Sequence, residues 1–236
     1  YYTMGTNKWQ SNDQWPPTTS EEVRMYFHSD GNANSLYGDG TLSFDAPTGG
    51  SDSYNYDPMI PVKTIGGGDC CNGGVVSPGA RDQRTIEARQ DVLVYTSDPL
   101  EEAMEVTGFV DAILHVSSDA KDTDFAVKLV DVAPDGTAYI IDDTIFRARY
   151  REGYDKQVMM EEGGIYKIDL TPMTTSISFG KGHRIRVEVT SSNFPKFARN
   201  LNTGGNNYDE KEGVIAHNTI HLSAEHPSYI VLPIVK

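Results

Sequence analysis

The chain has 236 residues, 38% of them hydrophobic and 23% charged, a balance that excludes a disordered or membrane-like polypeptide. Asp plus Glu number 34 against 20 Lys plus Arg, a net charge of −14, so neither a nucleic-acid surface nor adhesion to anionic membranes is expected. No apolar run approaches the roughly 18 residues of a spanning helix, no secretory leader pattern is present, and a chain this long can bury a full core without disulfide staples.

Residues 1–85 are rich in Gly, Pro, Asn, Ser and Asp. Tyr1–Gly5 reads as a short strand end, and Trp9 and Trp15 followed by Pro16-Pro17 as an extended connector that docks through its aromatics. Val23–His28 and Asp39–Phe44 are strand candidates, the second opened by an Asp-Gly turn. Gly66–Pro78 is a glycine-rich loop around two adjacent cysteines, and long loops in compact domains are usually functional or interfacial. From residue 86 the character changes. Val92–Thr96 is a short apolar strand. Val106–Val116 alternates, with Val106, Val110, Ala112, Leu114 and Val116 on one side and Thr107, Asp111 and His115 on the other. Phe125, Val127 and Leu129 share a face, and Val130 with Val132 suggests a switch of face or a bulge. After the Pro134-Asp135-Gly136 turn come Tyr139–Ile141 and Ile145–Tyr150, then the alternating runs Tyr166–Leu170 and Arg184–Thr190, and finally Thr219–Leu222 and Tyr229–Val235. Only Leu100–Met104 and Asp209–Gly213 suggest helical turns. Many alternating strands with turn residues between them predict an all-β, antiparallel double-sheet sandwich. Its core is expected to contain Val106, Val110, Leu114, Phe125, Val127, Leu129, Ile185, Val187 and Val189.

A self-contained active site is not evident. There is no G-x-S-x-G elbow, since Gly49-Gly50-Ser51-Asp52-Ser53 lacks the last glycine. None of the six histidines forms an H-E-x-x-H pair. His217 and His221 are four apart, a ligand spacing on a helix but a wide one on a strand. Asp119, Asp122 and Asp124 are weak calcium candidates: the spacing is wrong for an EF-hand, and a self-capping turn is the commoner meaning. Arg147, Arg149 and Arg151 alternate and are expected to pair with carboxylates such as Asp131 or Glu188 on neighbouring strands. No metal and no cofactor is expected. Cys70 and Cys71 leave three options open: a vicinal disulfide, two free thiols, or a bond to another molecule. Neighbouring Cα atoms about 3.8 Å apart are too close for ordinary disulfide geometry. Flanking glycines supply the unusual backbone angles a strained ring requires, and the vicinal disulfide is the expectation for the oxidised protein.

Several stretches resemble one family. Met4-Gly5-Thr6-Asn7-Lys8-Trp9 with Trp15-Pro16-Pro17, Asp82-Gln83-Arg84 with Glu87 and Arg89–Tyr95, Ser117–Phe125, Leu129–Gly136, Gly182–Val187, Ser191–Pro195, Asn200–Gly205 and Glu225–Pro233 together are similar to CocE/NonD serine hydrolases. That family joins an α/β-hydrolase domain carrying Ser, Asp and His to a C-terminal jelly roll of galactose-binding-like type. The resemblance implies that residues 1–20 are the end of the catalytic domain and its connector, and residues 21–236 the jelly roll. The implied partner is the α/β-hydrolase domain of the same polypeptide, with a homo-oligomer possible. The family triad falls upstream of Tyr1, so no residue here inherits a catalytic role; His183 and His226 match other family positions. The parent would cleave an ester, an amide or an X-Pro peptide, and a periplasmic or secreted location is slightly favoured. In esterase members the loop before the Asp-Gln-Arg motif reaches towards the acyl pocket. Here that implies pocket lining by Asp69, Cys70, Cys71 and Asn72, with the cysteines in place of large apolar residues. A carbohydrate-binding module is the alternative, with Trp9, Tyr54, Tyr56 and Tyr208 as candidate platforms.

Overall fold

In a computed structural model, residues 1–68 and 74–236 are described. The period-2 pattern becomes fourteen strands: β1 (Tyr2–Thr3), β2 (Lys8–Trp9), β3 (Ser20–His28), β4 (Thr41–Ser43), β5 (Ser51–Tyr56), β6 (Leu93–Ser97), β7 (Met104–Ser118), β8 (Asp124–Val132), β9 (Ala138–Arg147), β10 (Tyr166–Asp169), β11 (Met173–Phe179), β12 (Arg184–Thr190), β13 (Ala216–His221) and β14 (Tyr229–Val235). Helix among the described residues is confined to α1 (Arg84–Glu87) and a 3-10 turn at Ala148–Tyr150. The order β5-β13-β7-β14-β3-β4-β6-β12-β8-β9 runs through both layers of the sandwich. Pairing between these strands is antiparallel except for the short contact of β4 with β6.

One strand organises the first layer. The 15 residues of β7 pair with β11 over Met104–Val110 and with β10 over Ile113–Val116. They also pair with β14 up to Ile113 and with β13 over Val116–Ser118. The alternation seen in the sequence sends Val106, Val110, Ala112, Leu114 and Val116 into the sandwich. They meet Phe125, Val127 and Leu129 of β8 and Ile185, Val187 and Val189 of β12, all fully buried. Phe27 stacks on Tyr95 at 4.6 Å between centroids, and the Tyr95 hydroxyl donates to buried Asp52 at 2.8 Å. Asp52 also accepts from Ser29 Oγ and Ala33 N, so β5 and the loop after β3 are tied to the core by one carboxylate.

Several local expectations are corrected. Leu100–Met104 is not helical: Leu100 exchanges backbone bonds with Gly182 and His183, which hold it extended. Asp209–Gly213 makes a turn on Asn206 and no helix. Three strands lie outside the sequence expectations: β2, within the stretch read as a connector, and β5 and β11, because Ser51–Tyr56 and Met173–Phe179 carry mostly polar or small residues. The irregularity at Val130 lies in β9, where Ile141 is the extra residue between the pairs Leu129–Asp142 and Val130–Ile140. Val130 and Val132 do not turn into the main core; they form a second small cluster with Ala138 on the opposite face.

That opposite face is covered. The segment leading into β6 folds over β6, β12, β8 and β9 as a roof, placing Val62, Ile86 and Val92 against Val94. Backbone bonds fix it at Gln83 N to Ala138 O (2.8 Å), Ile140 N to Arg81 O (3.1 Å) and Thr64 N to Phe194 O (2.7 Å). With both faces covered, β8 reads as a continuous buried run. Truncating Leu129 to Ala is expected to cost on the order of 2–5 kcal/mol in urea unfolding; a loss below about 0.5 kcal/mol, the range of surface changes, would remove Leu129 from the core.

Candidate functional site

The glycine-rich loop closes at its base. Gly67 and Gly79 exchange two backbone hydrogen bonds, of 2.9 and 3.0 Å. Gly66, Gly67 and Gly79 all have positive φ. At Gly67 a Cβ would come within 2.8 Å of the Asp143 carboxylate, so a side chain there would push the loop off β9. Asp69, Cys70, Cys71 and Asn72, the expected pocket-lining residues and disulfide, lie outside the described residues.

Beneath the roof is a layer of buried charge. Lys128 and Glu188 oppose each other across β8 and β12, with Nζ 3.3 Å from Oε2. Lys128 Nζ also donates to Gln83 Oε1 at 3.1 Å. Gln83 in turn donates to the carbonyls of Ile65 and Arg81. Arg186 Nη1 donates to Glu87 Oε2 at 2.7 Å, and Lys196 Nζ to Asp143 Oδ1 at 2.5 Å. Lys128, Glu188, Gln83 and Glu87 are at most 1% exposed. Glu87 Oε1 and both carboxylate oxygens of Glu188 have no hydrogen-bond partner among the described residues, so Glu188 meets Lys128 as an ion pair alone. Burial, then the Glu188 carboxylate, push the Glu87 carboxyl up to about 7 against the pull of Arg186. The Asp-Gln-Arg-…-Glu motif is therefore an anchor: Gln83 and Glu87 tie the base of the glycine loop to β8 and β12.

The aspartates and arginines meet differently from the expectation. Arg149 leaves the strand for the 3-10 turn and pairs with buried Asp122 at 2.7 Å. Arg147 forks onto Asp124 at 2.9 and 3.0 Å, and Asn200 donates to both carboxylates. Arg151 turns back to the carbonyls of Ala148, Val158 and Met159 and covers the Tyr166 ring at 4.2 Å. The expected partners are engaged elsewhere, Asp131 by His183 Nδ1 (2.8 Å) and Glu188 by Lys128. Asp119 caps the backbone N–H of His217. His217 and His221 sit apart along β13, bonded to Asn55 and Ser117. His221 and His115 instead flank His226, at ring-centroid distances of 6.4 and 5.5 Å. Burial lowers the pKa of both His115 and His221. Among the described residues, no three acidic, histidine or cysteine side chains are grouped to hold a metal.

An aromatic surface surrounds the first residues. The β1–β2 hairpin is seated on β11 through Met4, which bonds to Ser176 and Ser178. Gly5 lies so close that a Cβ would come within 2.1 Å of the Ser178 carbonyl. Tyr1 packs edge-on against Trp15, Trp15 against Phe109, and Tyr2 against Trp9. Pro16 rests over Gly108, where a side chain on β7 would collide with it. The connector does dock through Trp15, yet Trp9 remains 80% exposed and Phe109 45%. Of the candidate sugar platforms, Tyr54 and Tyr56 are buried in the core, while Tyr208 and Trp9 are exposed and far apart in sequence.

The buried acid pair gives a signed pH effect. Glu87 holds its proton in the folded chain up to about 7 and loses it near 4.5 when unfolded. Its contribution to stability is therefore fully present below about 4.5 and is lost as pH rises through 7. Glu87→Gln mimics the protonated form. Relative to this variant, the native chain is expected to lose up to about 3 kcal/mol between pH 5 and 8, read from urea midpoints. A difference independent of pH would contradict it. His115 and His221 act on the acid side, with the opposite sign: their lowered values penalise the folded state as pH falls below 6.5, equally in both proteins.

The profile of the X-Pro dipeptidyl-peptidase C-terminal non-catalytic domain matches residues 1–231. The chain is 45% identical over 238 residues to cocaine esterase of Rhodococcus sp. (strain MB1 Bresler), covering all of this chain and 41% of the esterase. Among solved structures it is similar to an aminopeptidase from a marine sediment archaeon, Thaumarchaeota archaeon (TM-score 0.87, 29% identity, all of this chain and 40% of that one). It is also similar to an α-amino acid ester hydrolase (TM-score 0.83, 28% identity, 99% of this chain and 40% of that one). The chain thus spans about two-fifths of the length of each. With a β-sandwich fold and a match along nearly its whole length, the chain belongs to the X-Pro dipeptidyl-peptidase C-terminal domain family, the non-catalytic domain of CocE/NonD-type hydrolases.

Proposed function

We propose that this β-sandwich serves a serine acyl hydrolase by packing on an α/β-hydrolase domain upstream of Tyr1 in the same polypeptide. The observation that carries the reading is the aromatic surface at the chain's first residues, where Tyr2, Trp9, Trp15 and Phe109 are 39–80% exposed. Contiguous exposed aromatics of this kind are characteristic of interfaces, and a domain entering at Tyr1 would meet them first. Residues 1–20 would then be the connecting end of that domain. The 67–79 loop, closed at its base by the Gly67–Gly79 bonds and anchored through Gln83 and Glu87, would carry Asp69, Cys70, Cys71 and Asn72 to the acyl pocket. Catalysis would rest with a Ser, His and Asp outside this chain, through an acyl-enzyme and an oxyanion hole.

The role assigned to this chain is structural, so its own residues should not turn over an ester. With p-nitrophenyl acetate and an X-Pro chromogenic amide, the 236-residue chain is expected to match a boiled control. Turnover, or stoichiometric acylation of one of its serines, would defeat the proposal.

A further inference from the structure

The strand order leaves one edge open inside the sandwich. β14 pairs with β3 from Ser20 to Tyr26, but β4 covers the other edge of β3 only at Tyr26–His28. The hydrogen-bond phase is fixed by Phe27 N–H donating to Ser228 O and Lys236 N–H to Thr19 O. Odd residues of β3 therefore face β14, and the backbone groups of Glu22 and Arg24 point to the uncovered side. No backbone partner for them occurs there among the described residues. Pro233 stands opposite Glu22, where its missing N–H costs nothing.

A groove of about 740 Å³ opens between β4 and the 98–105 segment and reaches β3 at Met25, the residue next to Arg24. Met25, Leu42, Leu100, Met104 and Ile234 supply its apolar lining, with Phe44 half exposed at its side. Asp98, Glu101, Glu102 and Glu105 supply its charge, and no Lys, Arg or His lines it. Glu105 accepts from Gln10, and Gln10 accepts from the amino group of Tyr1, so Gln10 links the first residue of the chain to the groove's rim. An uncovered strand edge beside an apolar trough accepts an extended segment that adds as a further strand. An acidic, cation-free rim selects one with basic side chains.

We propose that a segment of the polypeptide upstream of Tyr1, extended and alternating basic with apolar residues, adds to the free edge of β3 and fills this groove. The inference rests on the packing of an upstream domain proposed above and assigns that domain a second contact.

Residue-resolved hydrogen exchange on the longer polypeptide and on the 236-residue chain tests it. In the chain alone, the Glu22 and Arg24 amides should exchange as unpaired groups. In the longer polypeptide they should slow by roughly tenfold or more, and Glu22→Pro, which deletes only an outward-facing donor, should abolish the protection at Arg24. If residues around Trp9 and Phe109 become protected while Glu22 and Arg24 do not, strand addition is overturned and the domain packing stands. If neither region is protected, both fall. For the charge preference, the heptapeptide Lys-Val-Lys-Val-Lys-Val-Lys should protect Arg24 in the 236-residue chain and its Glu-Val counterpart should not. Equal protection by the two, or by neither, would contradict a basic occupant, and protection that rises with protein concentration alone would assign the edge to a second copy.

Discussion

The Lys128–Glu188 pair governs how the second layer is built. Both side chains project from neighbouring strands on the face away from the main core, and both are removed from water. A charge so placed is tolerated only when it is matched and hydrogen-bonded. The roof supplies that match for the cations, with Gln83 bonded to Lys128 and Glu87 to Arg186, while Glu188 is met by Lys128 as an ion pair alone. The segment between β5 and β6 is thus held in one register over the sheet, and the glycine loop springs from a fixed base. Removing one partner would leave an uncompensated buried charge, a loss typically of about 3–5 kcal/mol. This layer is where sequence change should be least tolerated outside the apolar core.

Burial on both faces also explains what could be read from the sequence. The inner faces of β7, β8 and β12 were legible because alternation marks a strand with one apolar side, and all nine anticipated core residues are buried. β5 escaped because its inward groups are a tyrosine pair and an aspartate; β11 sends Met173, Ile177 and Phe179 inward, but the Thr and Ser between them dilute the apolar pattern. Asp52 takes its place in the core through three hydrogen bonds, a solution that hydrophobic patterning does not register. The arginines were read as a strand face because period 2 continues through Arg151, but Asp122 and Asp124 draw the chain into a 3-10 turn. Asp122, Asp124, Arg147 and Arg149 form one structural cluster bound by Asn200, and Asp119 and Arg151 lie outside it.

The functional assignment was legible by a different route. No spacing of nucleophile, base or metal ligand in the chain points to chemistry; the scattered motifs do, through their resemblance to a hydrolase family. The structure gives those motifs physical meaning: Gln83 and Glu87 anchor the roof, and buried Ser191 Oγ shares a hydrogen bond with the Tyr54 hydroxyl and accepts one from Asn218. The uncovered edge of β3 had no signature, since it arises from the brevity of β4 rather than from any residue type. What the chain presents outward is an aromatic patch at one end and an acidic apolar groove beside it.

On the proposed reading, this domain acts through contact with a hydrolase domain rather than through chemistry of its own. The most direct measurement is esterase turnover by the upstream part of the polypeptide, produced without residues 1–236 and then mixed with the separately produced 236-residue chain. Low turnover by the upstream part alone and recovery on mixing are expected, with recovery weakened when Trp9 and Phe109 are both changed to Ser. Full turnover without this chain, unaffected by its addition, would contradict it.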